Sequence, residues 1–522
     1  MNSAHSSRVL SLDEAATYRP QQIVELSVEL AAAKHQLDWF KRQIFGQKSE
    51  RRLLDGQDAQ LSLGVFGDPE PATPVVPERV IAAHTRRSAK PADSEESLSF
   101  FDATRVPVQV IDLPAPEAQG LSPNEFEVIG QKDSYRLAQR PASLVVLHFR
   151  RPVIKLKASQ AIVCASAPVG VIEGSRADVS FLAGLLIDKF AYHLPLYRQH
   201  QRMSDAGITV SRAWLTQIAQ QSIALLEPIY DAQFDAIRRS RVKAMDETPI
   251  KAGRAEPGKL KAAYFWPVYG QDDEVCFPFF ETRRAVHVQE ALGLTHAEGA
   301  VLLSDGYSAY AAYAAKTGLT HAQCWAHTRR KFFEAQDIEP QAATHALALI
   351  GQIYAVEECI RSEHLCSAKK LDYRLIQAKP LVEQFFAWVN QQFEAQGLLP
   401  SNPLTKALAY ARERRLGLEV FLNDPDVPID TNHLERALRA IPMGRKAWLF
   451  CWTELGAKQV GIMQSLIVTC RLHQVDPYDY LVDVLQRVAE HPANRVHELT
   501  PRLWKQRFAD TPMRSVLHNV GR

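Results

Sequence analysis

Three acidic residues occupy chain positions at which carboxylates commonly bind divalent metal ions. Asp246 ends the run Arg-Val-Lys-Ala-Met, and Asp305 ends the run Ala-Val-Leu-Leu-Ser. Glu435 lies in an amphipathic helical pattern, Asn-His-Leu-Glu-Arg-Ala-Leu-Arg. Two carboxylates at strand ends and one on a helix are hard oxygen ligands suited to two Mg²⁺ or Mn²⁺ ions. Such ion pairs catalyse in-line displacement at phosphodiesters, so the acids predict phosphoryl-transfer chemistry.

Each acid also has an ordinary structural explanation. Asp305 precedes a glycine, which makes a common turn pair, and Asp246 can simply begin a loop. Glu435 follows Asn432 by three residues, the spacing of a helix capping box. Glu247 is expected to support the site rather than to bind metal, because neighbouring side chains alternate between the two faces of a strand.

Basic residues near the acids predict a DNA-binding surface, because Lys and Arg beside a metal site grip phosphate oxygens. Arg436 and Arg439 lie three residues apart and therefore share one helix face. The complete set predicted to contact DNA is Arg436, Arg439, Arg445, Lys446, His327 and Arg330. A solvated charged surface without a ligand is the alternative for any one of them.

The composition limits the classes to which the chain can belong. It has 522 residues, too many for one core, and its net charge of +2 means that any basic surface is local. Its seven cysteines form no CxxC pair, and Cys324 with His327 lacks the second pair of a zinc site. No apolar run reaches the ~20 residues of a membrane helix, and no signal-peptide pattern is present. A soluble cytoplasmic protein without zinc or membrane contact is expected.

The first hundred residues predict a dimerising helix and a linker. Residues 18–56 carry apolar side chains in the 3-4 alternation of a leucine-zipper-like coiled coil, namely Ile23, Leu26, Leu30, Ala33, Leu37, Phe40 and Ile44. An amphipathic helix packed on its own domain is the alternative. Residues 57–100 are rich in proline and polar residues and are expected to form a linker.

Two smaller regions precede the acids. Residues 101–175 contain β-rich runs and predict a small β-rich module. Residues 176–238 have helical periodicity, with a glycine-containing turn at 205–209 and Ser211 placed to cap the next helix. This arrangement resembles a helix-turn-helix, although plain helical hairpins share its spacing. The region is therefore a candidate DNA-binding segment.

Residues 239–335 and 426–450 predict the α/β core that holds the acids. Strand patterns at 242–245, 262–269 and 275–280 precede a helix near 286–294 and two more strands at 301–304 and 320–325. Three strands in a meander, a helix and two further strands is the order of a ribonuclease H-like fold. Residues 336–425 predict a helical insertion, and 451–522 a C-terminal helical region with a tail.

Ordered motifs along nearly the whole chain resemble those of the bacterial IS66 insertion-sequence transposases. The motifs around the acids are Met-Asp-Glu-Thr-Pro (245–249), Leu-Leu-Ser-Asp-Gly-Tyr-Ser-Ala-Tyr (302–310), Gln-Cys-Trp-Ala-His-Thr-Arg-Arg-Lys-Phe (323–332) and Asn-His-Leu-Glu-Arg-Ala-Leu-Arg (432–439). Others are Gly-Arg-Lys-Ala-Trp-Leu-Phe (444–450), Asp-Pro-Tyr-Asp-Tyr-Leu (476–481), His-Leu-Pro-Leu-Tyr-Arg-Gln (193–199) and Ile-Phe-Gly-Gln-Lys-Ser-Glu (44–50). Several motifs in matching order make the resemblance specific.

The resemblance implies a DDE transposase with a ribonuclease H-like core, in which Asp246, Asp305 and Glu435 bind the catalytic metal ions. It also implies a leucine-zipper-like segment near the N-terminus and accessory proteins from the same element. Many members carry a cysteine-rich zinc module after the zipper, but residues 51–163 of this chain contain no cysteine. No structural zinc is therefore expected.

The expected function is cleavage of insertion-sequence ends and joining of the 3′-hydroxyl to target DNA. Element-end and target DNA are the expected partners, and the coiled coil predicts a homo-oligomer. Two alternatives remain open at this stage. One is a DNA-binding regulatory protein with an inactive transposase-like core, and the other is a metal-dependent nuclease without strand transfer. The segment that reads DNA bases is either the helix-turn-helix-like stretch or the basic end of the zipper.

Overall fold

The helices and strands of the protein were obtained from a computed structural model, which describes residues 100–140, 143–256, 259–395, 399–451 and 453–519. The predicted coiled coil at 18–56 and all but the last residue of the predicted linker at 57–100 lie outside the described residues. Within the described part, helices and sheets alternate, so the protein is of mixed α/β class, as predicted. No helix in that part is long and apolar enough to cross a membrane.

A four-stranded sheet lies inside the range predicted to be β-rich. Its strands are β1 (Val108–Asp112), β2 (Phe126–Arg140), β3 (Ser143–Leu156) and β4 (Ile162–Cys164), with a short 3-10 helix at Pro116–Ala118. Strand β3 pairs with β2 along one edge and with β1 and β4 along the other. Val146 packs into the main core and Leu147 into a small cluster with Leu517, so both faces of β3 are covered.

The next three helices link this sheet to the core. They are α1 (Val179–Phe190), α2 (Leu196–Asp205) and α3 (Arg212–Arg239). Ser211 caps α3 as the sequence indicates, because its hydroxyl accepts the Trp214 N–H at 3.1 Å. Near the other end of α3, Gln233 donates to the Val275 carbonyl in the following sheet at 2.9 Å. The third helix of the helix-turn-helix-like region is thus also a core element.

Eight strands between residues 242 and 323 build two more sheets. They are β5 (Val242–Met245), β6 (Thr248–Glu256), β7 (Lys259–Phe265), β8 (Val268–Gly270), β9 (Val275–Cys276), β10 (Phe279–Phe280), β11 (Val301–Ser304) and β12 (Thr320–Gln323). The central sheet has the order β12-β11-β5-β8-β9. Strands β5, β11 and β12 are parallel, whereas β8 is antiparallel to β5 and to β9. Every residue of β5 is buried, as befits the middle strand.

Two of the predicted strands are each divided between sheets. The predicted strand at 262–269 breaks at Trp266 and Pro267, and the one at 275–280 breaks at Phe277 and Pro278. The outer halves form β7 and β10, which join β6 in a separate three-stranded sheet of order β10-β7-β6. Proline has no N–H to donate to a β-ladder. Each of the two segments therefore passes from one sheet to the other at its proline.

Helices cover the central sheet and fill the region of the predicted insertion. Before it lie α4 (Val286–Leu292), α5 (Ser308–Thr317) and α6 (Trp325–Glu334). Within 336–425 lie α7 (Pro340–Ser362), α8 (Ser367–Tyr373), a π-helical turn (Arg374–Ala378), α9 (Lys379–Glu394), α10 (Pro403–Glu413), α11 (Arg415–Leu418) and a 3-10 turn (Val420–Leu422). After it come α12 (Asn432–Leu438), α13 (Ala440–Trp448), α14 (Glu454–Leu472), α15 (Pro477–Arg487), a 3-10 helix (Ala493–Leu499), α16 (Pro501–Arg507) and α17 (Val516–Asn519).

A buried arginine ties the insertion to the chain that leads towards Glu435. Arg374 is fully buried and forms a two-point ion pair with Glu357, with both N–O distances 2.8 Å. Its Nη1 donates to three backbone carbonyls, those of Phe421, Asp424 and Val427. Because a buried charge needs compensation, these contacts hold the segment that carries the three carbonyls in one conformation.

A glycine allows α14 to approach the sheets closely. A Cβ at Gly461 would stand 2.3 Å from the Phe277 carbonyl oxygen, whereas a Cβ at Gly351, in the exposed middle of α7, would meet nothing within 4 Å. We expect Gly461→Ala to lower the free energy of unfolding by about 1–3 kcal/mol through overpacking. Gly351→Ala, the matched control, should raise it by about 1 kcal/mol through helix propensity. Chemical denaturation measures both, and equal effects of the two substitutions would contradict the packing argument.

Candidate active site

Asp246 and Asp305 directly follow two neighbouring strands of the central sheet. Strands β5 and β11 are parallel, and Leu303 lies opposite Ala244. Continuing this register by two residues puts Asp305 opposite Asp246. Neighbouring strands are about 4.8 Å apart, and parallel strands end at the same edge of a sheet. The fold therefore brings these two predicted site residues side by side.

Asp246 lies in a partly buried and electrostatically crowded position. Burial raises the pKa of Asp246 to about 7, although the Glu247 N–H donates to its Oδ1 at 2.8 Å and opposes the rise. The negative charges of Glu247 and Asp305 raise this pKa further, while His327 lowers it. A cation placed beside the two acids would relieve their repulsion and favour the ionised carboxylate.

Glu247 lies between the end of β5 at Met245 and the start of β6 at Thr248, so the alternation of strand side chains does not orient it. Its side chain is only 4% exposed. Oε1 accepts Arg283 Nε at 2.8 Å, and Oε2 accepts the Tyr310 hydroxyl at 2.6 Å. Both carboxylate oxygens are therefore engaged by neighbouring donors.

Asp305 stands in a turn that the insertion covers. Its Oδ1 accepts the Tyr307 N–H at 2.9 Å, so the turn interpretation applies to that oxygen. A Cβ at Gly306 would lie 2.8 Å from the Tyr410 hydroxyl and 2.7 Å from Arg414 Nε. Arg414 Nη2 also donates to the Gly306 carbonyl at 3.3 Å. Residues of the insertion thus fix the backbone beside the second acid.

Glu435 lies on α12, whose start differs from a capping box. The N-cap is Thr431, and Asn432 is the first helical residue. The Asn432 side chain donates to Asp430 Oδ2 at 2.5 Å rather than capping the helix, so the capping-box explanation of Glu435 is wrong. The Glu435 side chain is 44% exposed, and its Oε1 lies 4.0 Å from His327 Nε2.

The loop before α12 is held from two sides. The Tyr354 hydroxyl, on α7 of the insertion, donates to Asp430 Oδ2 at 2.8 Å. From α6, the Trp325 N–H donates to the Ile429 carbonyl at 3.2 Å. The backbone from which Glu435 projects is therefore fixed by the insertion as well as by the core.

His327 connects the strand-end acids with Glu435. The imidazole lowers the pKa of Asp246, and its Nε2 lies 4.0 Å from the Glu435 carboxylate. Its Nδ1 is buried and has no hydrogen-bond partner in the described part of the chain. No group of three or more His, Cys, Asp or Glu side chains among the described residues is arranged to hold a metal ion. Asp246 and Asp305 are suitable ligands for a divalent cation, but the side chains of these two acids and Glu435 are not arranged as one metal site.

The comparison with protein families identifies the chain. Residues 174–459, more than half of its length, match the model of the Transposase IS66 family. The chain belongs to the IS66 transposase family. Residues 465–502 match the IS66 C-terminal element, and 32–97 match a model described as Transposase C of IS166 homeodomain. Membership supports a transposase role, and the homeodomain description supports DNA binding.

Three proteins of Sinorhizobium fredii (strain NBRC 101917 / NGR234) are similar to this IS66 family member along almost its whole length. The protein y4hP is 29% identical over 93% of this chain and 90% of its own. The protein y4jD is 27% identical over 93% and 97%, and y4qI is 28% identical over 95% and 92%. All three are called uncharacterized proteins, so their likeness spans nearly the whole chain but adds no activity.

The basic residues predicted to contact DNA differ in how freely they are exposed in the IS66 fold. Arg436, Arg439 and Lys446 are exposed on α12 and α13 or at their junction. Arg445 is half-buried and donates to the Pro249 carbonyl on β6. Arg330 is exposed but forms an ion pair with Glu334 at 3.1 Å. Arg436, Arg439 and Lys446 are thus the freely exposed members of the predicted set, whereas the His327 side chain beside Glu435 is 24% exposed.

Sequence reasoning missed the groups that surround the two strand-end acids. Arg283 pairs with Glu247, and Tyr310 donates to the same carboxylate. Tyr410 and Arg414 reach the Asp305 turn from the insertion. Glycine directly after Asp305 was a signal of close packing at that turn, but nothing in the sequence names its distant partners.

Proposed function

We propose that this IS66 family transposase cleaves DNA at the ends of an insertion sequence and joins the freed 3′-hydroxyl to target DNA. Asp246, Asp305 and Glu435 would bind two Mg²⁺ or Mn²⁺ ions in a ribonuclease H-like core. The single observation that carries this proposal is the register of β5 and β11, which sets two acids of the family motifs next to each other at one sheet edge.

The order of the central sheet supports the proposed ribonuclease H-like core. A middle strand, β5, is flanked on one side by the antiparallel strands β8 and β9 and on the other by the parallel strands β11 and β12. The sequence predicts the same order: three strands in a meander, followed by two further strands. Of the two strands divided at proline, only β8 and β9 belong to this central sheet. The acids then follow the first and fourth strands of that order.

The residues of the site would act by holding and orienting rather than by transferring protons. Bound divalent ions supply Lewis-acid stabilisation and an activated water or 3′-hydroxyl. Asp246 and Asp305 would hold them as neighbouring ligands on rigid strand ends, and Glu435 would contribute a carboxylate from α12. The Glu435 carboxylate is 44% exposed and lies 4.0 Å from His327, so it would join the set from the side of α12.

The surrounding surface would bind DNA through its phosphates. Arg436, Arg439 and Lys446 lie exposed on the helices that carry or follow Glu435, where cations would neutralise the backbone next to the reacting phosphodiester. Two element ends require at least two copies of the protein, and the coiled coil predicted at 18–56 would join them. Accessory proteins of the same element would complete the reaction partners, and no zinc takes part.

The test compares Asp305→Asn and Glu435→Gln with Glu383→Gln, an exposed acid on α9 as the control. Purified proteins are incubated with Mg²⁺ and duplexes carrying the DNA that flanks the gene. We expect the first two variants to bind DNA normally but to lose strand transfer by about 1,000-fold, because several kcal/mol of metal-dependent stabilisation is removed. The control should keep full activity.

The products distinguish the alternatives. Joined DNA supports a transposase, whereas cut ends without joined product indicate a nuclease. DNA binding without either product, in the wild type and with its accessory proteins present, indicates a regulatory protein with an inactive core. Full strand transfer by Asp305→Asn would contradict the proposed role of the acids.

A further inference from the structure

Arg283 is a half-exposed cation fixed beside the two strand-end acids. It lies between β10 and α4, and its side chain is 48% exposed, although its partner Glu247 is almost fully buried. We propose that Arg283 binds a DNA phosphate at the acidic site and holds it against Asp246 and Asp305. This inference rests on the proposed function, because it assigns a substrate contact to the same site.

The neighbours of the two acids position this guanidinium. Glu247, the residue after Asp246, accepts Arg283 Nε at 2.8 Å. Tyr307, two residues after Asp305, lies under the guanidinium with 4.5 Å from its ring centroid to Arg283 Cζ. The Tyr307 hydroxyl also donates to the Arg283 carbonyl at 2.7 Å. Two segments that carry the acids therefore hold Arg283 from different sides.

The guanidinium keeps one end available for a further anion. The ion pair with Glu247 engages Nε and Nη2, and in the described part of the chain Nη1 makes no hydrogen bond. Burial lowers the pKa of Arg283, but Glu247, Tyr307 and Asp305 together raise it above its usual value, so the charge is permanent. Arginine offers donors in a planar fork, which suits phosphate oxygens.

The charge balance of the site explains why a cation is needed there. Asp246, Asp305 and Glu247 carry acidic groups within one small region, and DNA is itself a polyanion. A phosphate approaching the acids is repelled until positive charge lies next to it. Metal ions would neutralise part of this charge, and Arg283 is a cation that the protein itself holds at the same edge of the sheet.

Arg284 provides a matched control, because it is the next residue, is exposed and carries the same charge. Among the described residues its side chain forms no ion pair, so nothing directs it towards the acids. If nearby positive charge alone attracts DNA, both arginines contribute equally. If the position set by Glu247 and Tyr307 matters, only Arg283 contributes strongly.

The experiment measures binding of a fluorescent DNA duplex, taken from the flanks of the gene, to the full chain in Ca²⁺ over a range of salt concentrations. We expect Arg283→Gln to weaken binding about tenfold, the size of one charge-assisted contact. The slope of log affinity against log salt should fall by about 0.9, the value for one lost phosphate contact. Arg284→Gln should change the affinity less than threefold.

A double variant separates phosphate binding from simple neutralisation of Glu247. If Arg283 only compensates Glu247, the double substitution Glu247→Gln with Arg283→Gln restores wild-type DNA affinity and overturns the proposal. Phosphate binding by Arg283 predicts that the loss persists in the double variant. Equal effects of Arg283→Gln and Arg284→Gln would also overturn it. Because the assay needs no catalysis, its result is independent of whether Asp305→Asn loses strand transfer.

Discussion

Asp246→Asn is expected to cause a large loss of strand transfer while making the metal-free protein more stable at mildly alkaline pH. The loss of activity, about 1,000-fold, follows because an amide cannot replace the carboxylate as a ligand for the catalytic ions. The gain in stability has a separate origin. Burial and the neighbouring acids raise the pKa of Asp246 to about 7, so its ionised form is unfavourable in the folded protein.

The direction of the pH effect follows from proton binding. Between about pH 4 and about pH 7 the folded protein holds a proton on Asp246 that the unfolded chain has released, because the unfolded pKa is near 3.8. Stability therefore falls as the pH rises through this window, and the full cost remains above it. A shift of three units corresponds to about 4 kcal/mol. Residual contact with solvent reduces this value, so we expect asparagine to recover about 2 kcal/mol.

Thermal unfolding at mildly acidic and mildly alkaline pH, with chelator or with Mg²⁺, measures this effect. The variant should unfold at a higher temperature than the wild type in alkaline chelator, and the difference should shrink at acidic pH. Mg²⁺ should raise the unfolding temperature of the wild type but not of the variant, because a ligand stabilises the state to which it binds. A wild type that is more stable than the variant in alkaline chelator would contradict the assigned pKa.

Arg374→Met is expected to cause a large loss of stability. The substitution leaves Glu357 without its partner in a site where it is mostly buried, and three carbonyls without their donor. Breaking a buried pair by removing one member typically costs about 3–5 kcal/mol. Because those carbonyls belong to the segment before Asp430 and α12, we also expect strand transfer to fall more than DNA binding does.

The double variant Arg374→Met with Glu357→Leu is the informative control. It removes both charges, so much of the stability should return, since well-packed apolar residues often replace a buried ion pair without loss. The carbonyls still lack donors, and the Glu435 segment stays loosened. Recovered stability without recovered strand transfer would support the role of Arg374 in positioning this segment. Wild-type stability of the Arg374→Met single variant would refute it.

The placement of Asp246 and Asp305 at neighbouring strand ends was predictable because it depends on short sequence patterns next to each residue. Short apolar runs end at Asp246 and Asp305, and parallel pairing of those runs is enough to bring the two residues together. The helix bearing Glu435 was also evident from its amphipathic pattern, although its cap was assigned to Asn432 instead of Thr431. Strand and helix periodicity therefore predicts those parts of the site that depend on residues close together in the sequence.

The remaining features depend on contacts between distant segments. Periodicity alone joined 262–269 into one strand, although Pro267 within the run is a signal of a break. The pairing partners show that the chain changes sheet there. The buried contacts of Arg374 and the position of Arg283 depend on residues from other segments of the chain. No single-sequence pattern separates these two arginines from the other basic residues of the chain.

The insertion also shields a sheet edge. Strand β12 is the last strand of the central sheet, and α11 lies against it so closely that a Cβ at Gly417 would stand 3.0 Å from the His321 carbonyl oxygen. Trp325, directly after the strand, donates its indole N–H to the Leu418 carbonyl at 2.9 Å. An uncovered edge strand invites pairing with other chains. A shortened enzyme that lacks residues 336–425 would consequently expose β12 and would be prone to aggregation unless another segment were designed to cover that strand.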